Sequence, residues 1–242
     1  MINLHNDLTF FTNEPERNLY DRFNKILKSN TKYYDLLVGY FRTSGFYLMY
    51  PAMENIEKIR ILVGINVDKR TVQIIEDAQC GQLLFAMSHK EVKDEFAEDI
   101  VLEMQNSEDS FQVEEGIKTF IDWLKSGKLE MRIYPEEPLH AKVYIMRKDL
   151  AEVPDQFGSV ITGSSNFSKA GLVDNLEFNV ELKDSRDVEF ALEKFEELWE
   201  KSVDITDKYI ETIHEKTWLK DDITPYELFL KTLYEYFKEE IN

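Results

Sequence analysis

Two segments decide the fold of this chain, 139-LHAKVYIM-146 and 159-SVITGSSNFSKAGLVDNLEFNVEL-182. Both alternate polar and apolar residues, which is the period of a β-strand whose successive side chains point to opposite faces. His140 and Lys142 therefore share one face of the first strand, and Ser164 and Asn166 share one face if their segment is extended. Glu177 lies opposite the apolar residues of LEFNVEL. The residues expected on that apolar face are Leu176, Phe178, Val180 and Leu182.

These polar residues can converge on one wall of a sheet whose other wall is apolar. Imidazole, ammonium, hydroxyl and amide groups together suit an oxyanion or a phosphate. They suit a metal less well, because Lys and Ser are poor ligands for zinc. The pattern therefore predicts an anion site without a metal.

The composition predicts one sizeable hydrophobic core. The chain has 242 residues, of which 43% are apolar, with 16 Phe and 12 Tyr, and this content argues against disorder.

Cys80 is the single cysteine, so an internal disulfide is excluded and a reducing compartment is expected. No run approaches the roughly 18 apolar residues of a membrane span, and the N-terminus lacks the pattern of a secretory signal. We therefore expect a soluble, cytoplasmic protein.

The net charge of −18 argues against a free-standing nucleic-acid binder, because such proteins neutralise phosphates with basic side chains. The negative charge is unevenly distributed. Residues 181–242 hold 18 acidic and 9 basic side chains, so half of the net charge lies in the last quarter of the chain. An average field of this sign repels polyanions, but it does not exclude a locally positive site.

The order of predicted elements indicates an α/β fold. A helix is expected from an Asn13 cap to about residue 29, followed by a buried strand in 33-YYDLLVGYF-41. A second helix over 46–53 then leads to a second buried strand, 59-IRILVGI-65. Two strands joined by a helix form a βαβ unit. We therefore predict a mixed, mostly parallel β-sheet flanked by helices.

Helical patterns dominate two further regions. Residues 68–127 are predicted as a helical insertion, whose clearest helix runs from Val113 to Leu124 and is closed by Gly127. A strand follows over 129–135. After Leu182 the pattern is helical and acidic. We therefore divide the chain into a domain over 1–187 and an acidic helical tail or connector over 188–242.

The central polar residues also form an ordered motif. The chain reads HxK at His140, then GSSNF over 163–167, then GLVDNLE over 171–177. In this order the motif resembles that of the phospholipase D-like superfamily of phosphodiesterases. The two upstream strands occupy the places of the first two strands of that family, and the resemblance covers roughly residues 10–185. It implies the phospholipase D/nuclease-like fold.

One position departs from the family pattern. The longer signature of the family has an Asp five residues after the Lys, where this chain has Arg147. In the family that Asp supports the structure and does not contact the phosphate. We therefore expect the replacement to affect the geometry of the following loop more than the reaction at phosphorus.

The resemblance implies a two-step displacement at phosphorus through a phosphohistidine. His140 would be the nucleophile, and Lys142 would hold a non-bridging oxygen and offset the charge that builds up in the transition state. Ser164 and Asn166 would donate hydrogen bonds to phosphate oxygens. Glu177 would accept a hydrogen bond from the far nitrogen of His140 and so fix its tautomer. No metal and no cofactor are needed by this mechanism.

A second histidine must protonate the leaving oxygen. The other histidines are His5, His89 and His214, and none of them is followed by the x-Lys spacing in a matching context. The family supplies the second histidine from a second motif in the same chain or from a second subunit. One motif here implies a two-fold homodimer with a shared active site.

The resemblance also bears on the substrate. Single-copy members are often DNA nucleases, and the patterns FFTNEPERN, GYFRTSGF and TPYELFLKTLYEYF resemble a module found ahead of ATP-dependent helicase domains. A helicase domain or subunit is thus an expected partner, and membrane lipid is not, because no basic amphipathic helix is evident.

Three further residues are candidate substrate contacts, namely Arg42, Ser44 and Ser165. The alternative is a non-catalytic module of a helicase or restriction system that binds a phosphate backbone or dimerises.

Overall fold

The computed structural model describes residues 9–14, 18–29, 31–64, 111–134, 139–148 and 157–205. The predicted C-terminal helix and the first part of the predicted helical insertion lie outside these residues. Within them, no helix is both long enough and apolar enough to cross a bilayer.

The described residues form one eight-stranded sheet with four α-helices. The strands are β1 (Phe10–Phe11), β2 (Tyr33–Val38), β3 (Lys58–Gly64), β4 (Leu129–Tyr134), β5 (Lys142–Arg147), β6 (Gly158–Gly163), β7 (Asn179–Leu182) and β8 (Val203–Asp204). The helices are α1 (Leu19–Ser29), α2 (Thr43–Met53), α3 (Phe111–Lys125) and α4 (Ser185–Glu200), with a π-helical turn over Ala170–Asp174.

The strand order is β1-β7-β6-β5-β2-β3-β4-β8. The βαβ prediction is confirmed, because β2, α2 and β3 form a parallel unit and β3 is also parallel to β4. The sheet is mixed, as predicted, but it is not mostly parallel: among the described strands the other five pairings are antiparallel. Parallel neighbours need a crossover connection, and no α-helix of the described chain joins β5, β6 and β7.

Helices cover both faces of the sheet. On one face α1, α2 and α3 bury the main core, in which Phe23, Phe46 and Phe120 are inaccessible to solvent. On the other face α4 packs Phe195 and Trp199 against a smaller cluster that includes Leu62. Each helix thus buries its apolar stripe against the sheet.

The packing of two helices bears on the predicted domain division. Helix α3, at the end of the predicted insertion, packs into the main core through residues such as Ile117 and Leu124, and among the described residues it is the helix between β3 and β4. Helix α4 is also part of the domain, because Val188 is buried and β8 pairs with β4 beyond it. A boundary at residue 187 would cut through this packing, and residues 188–205 belong with the sheet.

Helix α1 begins later than predicted. Its cap is Asn18, whose Oδ1 accepts a hydrogen bond of 2.7 Å from the Tyr20 N–H. Asn13 has a positive φ of 60°, and its Oδ1 accepts a bond of 3.2 Å from the Leu19 N–H six residues along the chain. The predicted cap residue therefore still contacts the helix start, but from a turn that precedes it.

Candidate active site

The three parts of the predicted motif meet at one end of the sheet. His140 lies two residues before β5, Ser164 immediately follows β6, and Glu177 lies two residues before β7. These strands are successive antiparallel neighbours, so the start of β5, the end of β6 and the start of β7 lie at the same edge. The Thr162 hydroxyl donates a bond of 2.9 Å to the Lys142 carbonyl and ties the first two parts together.

Two glycines make room for the segment that carries the histidine. The Gly39 N–H donates a bond of 2.7 Å to the Ala141 carbonyl, and a Cβ at Gly39 would lie 2.9 Å from the His140 Cα. A Cβ at Gly64 would lie 2.1 Å from the Leu139 carbonyl oxygen. The segment thus crosses directly over the carboxyl ends of β2 and β3, where only glycine allows this approach. We did not predict this role, although both strands end in Val-Gly.

His140 and Lys142 face each other. The Lys142 Nζ lies 3.4 Å from Nδ1 and 3.5 Å from Nε2 of His140. The imidazole is exposed, whereas Lys142 is only 9% exposed. An accessible ring nitrogen therefore lies beside a cation held largely out of water, where its field is less screened.

Glu177 has different partners from those predicted. Its carboxylate accepts a hydrogen bond from the Ser164 hydroxyl and one of 3.4 Å from the Asn175 amide. The Ser164 Oγ in turn accepts a bond of 2.9 Å from the Phe178 N–H. Within the described residues His140 bonds to Lys142, and the expected Glu177–His140 bond is not formed. Glu177 therefore holds Ser164 in place in the single chain.

Ser165 lies inside the protein, which corrects its assignment as a substrate contact. It is 0% exposed, and its Oγ accepts a bond of 2.8 Å from the Asn179 amide. The Ser165 carbonyl accepts a bond of 2.7 Å from the Tyr144 hydroxyl. Burial, and to a lesser extent the charge of Glu177, raises the pKa of Tyr144 well above its ordinary value, so Tyr144 remains a neutral donor. These contacts anchor the loop after β6.

Asn166 is half-buried in the loop after β6. Its buried Oδ1 has no hydrogen-bond partner among the described residues. A Cβ at Gly171 would lie 2.4 Å from the Asn166 carbonyl oxygen, so the π-helical turn packs tightly behind this residue. Ser164 and Asn166 both follow β6 at the end of the sheet that carries His140, and Ser164 bonds to Glu177.

The faces of LEFNVEL are the reverse of those predicted. Leu176 is 78% exposed and Phe178 is 62% exposed. Asn179 and Glu181 are buried, at 1% and 2% exposed, because each has a partner: Asn179 bonds to the Ser165 loop, and Glu181 accepts two bonds of 2.8 Å from Arg22. Paired polar groups can be buried at little cost, and the alternation pattern does not reveal such partners.

Arg42 and Ser44 lie at the same end of the sheet. The Arg42 N–H donates a bond of 3.1 Å to the Phe167 carbonyl, and its guanidinium lies 4.3 Å from the centre of the Tyr40 ring. The Ser44 Oγ accepts a bond of 3.4 Å from the Lys169 N–H. The start of α2 is therefore fastened to the loop that carries Asn166, which keeps both residues as candidate substrate contacts.

His140 is the one histidine within the described residues; His5, His89 and His214 lie outside them. In the same residues no group of three or more His, Cys, Asp or Glu side chains is placed to hold a metal ion.

A family model described as cardiolipin synthase, PLD-like domain, matches residues 24–199. No curated protein matches the sequence. Among solved structures, NucT from Helicobacter pylori has a TM-score of 0.46 and 15% identity, over 81% of this chain and 96% of that one. Nuc from Salmonella typhimurium, a phospholipase D family member, has a TM-score of 0.45 and 16% identity, over 81% and 95%. TrmBL2, an archaeal chromatin protein, has a TM-score of 0.40 and 16% identity, over 81% and 54%.

At these identities and TM-scores the structural likenesses carry no argument about activity or substrate. The family match is different, since it covers most of the chain and includes every residue from His140 to Glu177. It also spans α4 up to Trp199, in agreement with the packing of that helix on the sheet. The chain therefore belongs to the phospholipase D-like superfamily of phosphodiesterases.

Proposed function

We propose that this protein is a metal-independent phosphodiesterase that acts through a phosphohistidine, and specifically a DNA nuclease that works as a homodimer. The observation that carries the proposal is the pairing of the exposed His140 imidazole with the Lys142 ammonium, at 3.4 and 3.5 Å. Mere phosphate binding would not require a nucleophilic imidazole next to the cation.

In the first step an imidazole nitrogen of His140 forms a bond to phosphorus, and the bond to the leaving oxygen breaks. A second histidine gives its proton to that oxygen. In the second step a water molecule attacks phosphorus and gives its proton to the second histidine, and the P–N bond breaks to restore His140. Lys142 offsets the negative charge on the non-bridging oxygens in both steps, and the Asn166 amide donates a further hydrogen bond.

The second histidine would be His140 of a second copy of the chain. One motif supplies one nucleophile, and a two-fold axis through the site places the two imidazoles on opposite sides of one phosphorus atom. In such a dimer either His140 can be the nucleophile, and the other is the general acid in the first step and the general base in the second.

DNA is the substrate that we propose, because the single-copy motif and the N-terminal pattern resemble those of nuclease and helicase-associated modules. The acidic character of the chain favours a DNA contact confined to the site, with further contacts supplied by a helicase domain or subunit. The single cysteine favours a cytoplasmic location.

Hydrolysis of bis(4-nitrophenyl) phosphate and of labelled DNA tests the proposal. We expect both activities to survive excess EDTA. The variants His140→Ala and Lys142→Met should each lower kcat by about 10³-fold or more. Lys194→Ala is the matched control, because Lys194 is a half-exposed lysine on α4 that pairs with Glu197. Activity that EDTA abolishes, or that survives in His140→Ala, would overturn the mechanism.

Mixing the wild type with His140→Ala tests the shared site. Random exchange of equal amounts leaves about one quarter of the dimers with two histidines, so activity should fall to about one quarter of that of the same total amount of wild type. A fall to about one half would mean that each chain acts alone. Sedimentation at micromolar concentration should show a dimer, and a monomer that remains active would also contradict a shared site.

Glu177 bonds to Ser164 and not to His140. This pairing favours one alternative function, a non-catalytic module that binds a phosphate backbone. That module would bind DNA in a salt-dependent manner without forming phosphohistidine. Detection of labelled phosphohistidine after mixing with substrate separates the two functions.

A further inference from the structure

A cavity lies at the end of the sheet opposite His140. It has a volume of about 430 Å³ and opens between α1 and the far ends of β5, β6 and β7. This volume lies within the range of small-molecule sites. Met146, at the cavity, is the fourth residue after Lys142, which corresponds to about 13 Å along β5. The cavity is therefore distinct from the candidate active site.

Positive side chains dominate the charged groups around this cavity. Its lining includes Arg22, Lys25, Lys148 and Lys183, with Glu181 as the one carboxylate among the described lining residues. Arg22 donates two bonds of 2.8 Å to Glu181, and the Lys183 Nζ lies 3.8 Å from the same carboxylate. Arg22 thus neutralises Glu181, and Lys25 and Lys183 add further positive charge to the described lining. Such a cluster is unusual in a chain with a net charge of −18, and it indicates an anionic ligand.

A serine hydroxyl also lines the cavity. Ser159 is the second residue of β6, pairs with Met146 of β5 and is only 7% exposed. Because a hydroxyl can donate a hydrogen bond, Ser159 can donate to an acceptor oxygen of a ligand in the cavity.

The cavity also has an apolar wall. Ile26 of α1 and Met146 of β5 both line it, and a simple inorganic anion would gain nothing from them. The ligand that fits all of these groups has a phosphate and an uncharged, partly apolar portion. We propose that this cavity binds a small phosphorylated ligand of nucleotide size, with its phosphate at Lys25, Lys183 and Ser159 and its uncharged portion against Ile26 and Met146.

Isothermal titration calorimetry of the full chain with AMP tests the proposal. We expect saturable binding that Lys25→Glu weakens about tenfold or more, since a charged hydrogen bond is lost and its charge is reversed. Lys28→Glu is the matched control: Lys28 is an exposed lysine of the same helix that does not line the cavity. Both variants change the net charge equally, so a general field effect would be the same in each. Ser159→Ala, which leaves all charges in place, should weaken binding several-fold.

Lys142→Ala separates this cavity from the active site. AMP binding at the cavity should persist in Lys142→Ala, whatever that variant does to phosphodiesterase activity. Equal affinities of Lys25→Glu and Lys28→Glu, or a loss of AMP binding in Lys142→Ala alone, would overturn the proposal. Equal affinities for AMP and inorganic phosphate would contradict the role of the apolar wall. If a DNA oligonucleotide bound in a Lys25-dependent manner and AMP did not bind, the cavity would be a backbone contact and the proposal would be wrong.

Discussion

Arg147 donates two hydrogen bonds to Asp35, of 3.0 Å from Nε and 2.7 Å from Nη2. Arg60 donates to the other oxygen of Asp35 at 2.6 Å and makes two further bonds, of 3.0 and 2.7 Å, to Glu196 of α4. Arg147 stands where the longer signature of the family has an Asp. Here it belongs to an ionic network that fastens α4 to the sheet, about 17 Å along β5 from Lys142.

The first prediction concerns this network. Arg147→Met should lower the free energy of unfolding by about 2–4 kcal/mol, because Asp35 is 1% exposed and would lose one of its two cations. Activity per folded molecule should be unchanged. Urea denaturation and phosphodiesterase assays measure the two effects. Arg186→Met is the control, since its side chain is 88% exposed and its pairing with Asp184 contributes little. A loss of kcat without a loss of stability would place Arg147 in the active site.

The second prediction concerns the glycines under His140. Gly64→Ala should cost more stability than Gly39→Ala, because its Cβ would lie 2.1 Å from the Leu139 carbonyl oxygen, against 2.9 Å from the nearest backbone atoms for Gly39. Both variants should lower kcat, since they displace the segment that carries the nucleophile. Gly127→Asn is a suitable control: its φ of 74° suits Asn, and open space surrounds it. Full activity in Gly64→Ala would contradict the proposed crossing.

The third prediction concerns Asn13, whose amide Nδ2 donates bonds of 2.9 and 3.0 Å to the carbonyls of Gly171 and Asn175. Asn13→Asp removes this donor and keeps the acceptor for the Leu19 N–H. We expect a loss of about 1–2 kcal/mol in chemical denaturation. Asn13→Gly keeps the backbone conformation and removes all three bonds, so it should be at least as destabilising. If Asn13→Asp were as stable as the wild type, these bonds would contribute nothing.

The fourth prediction concerns pH. Burial raises the pKa of Tyr144 above the ordinary value of 10.0, so above that pH the unfolded chain releases a proton that the folded protein retains. Tyr144 therefore makes its full contribution to the stability of the folded protein below pH 10, and this contribution is lost as the pH rises above 10. Tyr144→Phe should cost about 1–3 kcal/mol at pH 8, through the lost bond to Ser165. This difference should shrink by about 1.4 kcal/mol per pH unit above 10. A difference that stays constant from pH 8 to pH 11 would contradict the raised pKa.

The sequence by itself determined the family, the nature of the polar site and most of the elements. The βαβ unit, the strands around His140 and the helix closed by Gly127 follow from local patterns and turn residues. These signals depend on near neighbours in the chain, so they can be read without the fold.

Tertiary structure alone decided which polar residues are buried and which residues belong to the domain. Glu181 and Asn179 lie inside the protein, and Phe178 outside it, because Arg22 and Ser165 approach from distant parts of the chain. Helix α4 belongs to the sheet because Glu196 reaches Arg60. In the same way, His140 reaches its position over the carboxyl ends of β2 and β3 because Gly39 and Gly64 leave no Cβ in its path. Each of these contacts joins residues that are separated in the sequence. A buried polar group is stable only with such a partner, and the residues next to it in the chain do not show which partner it will have.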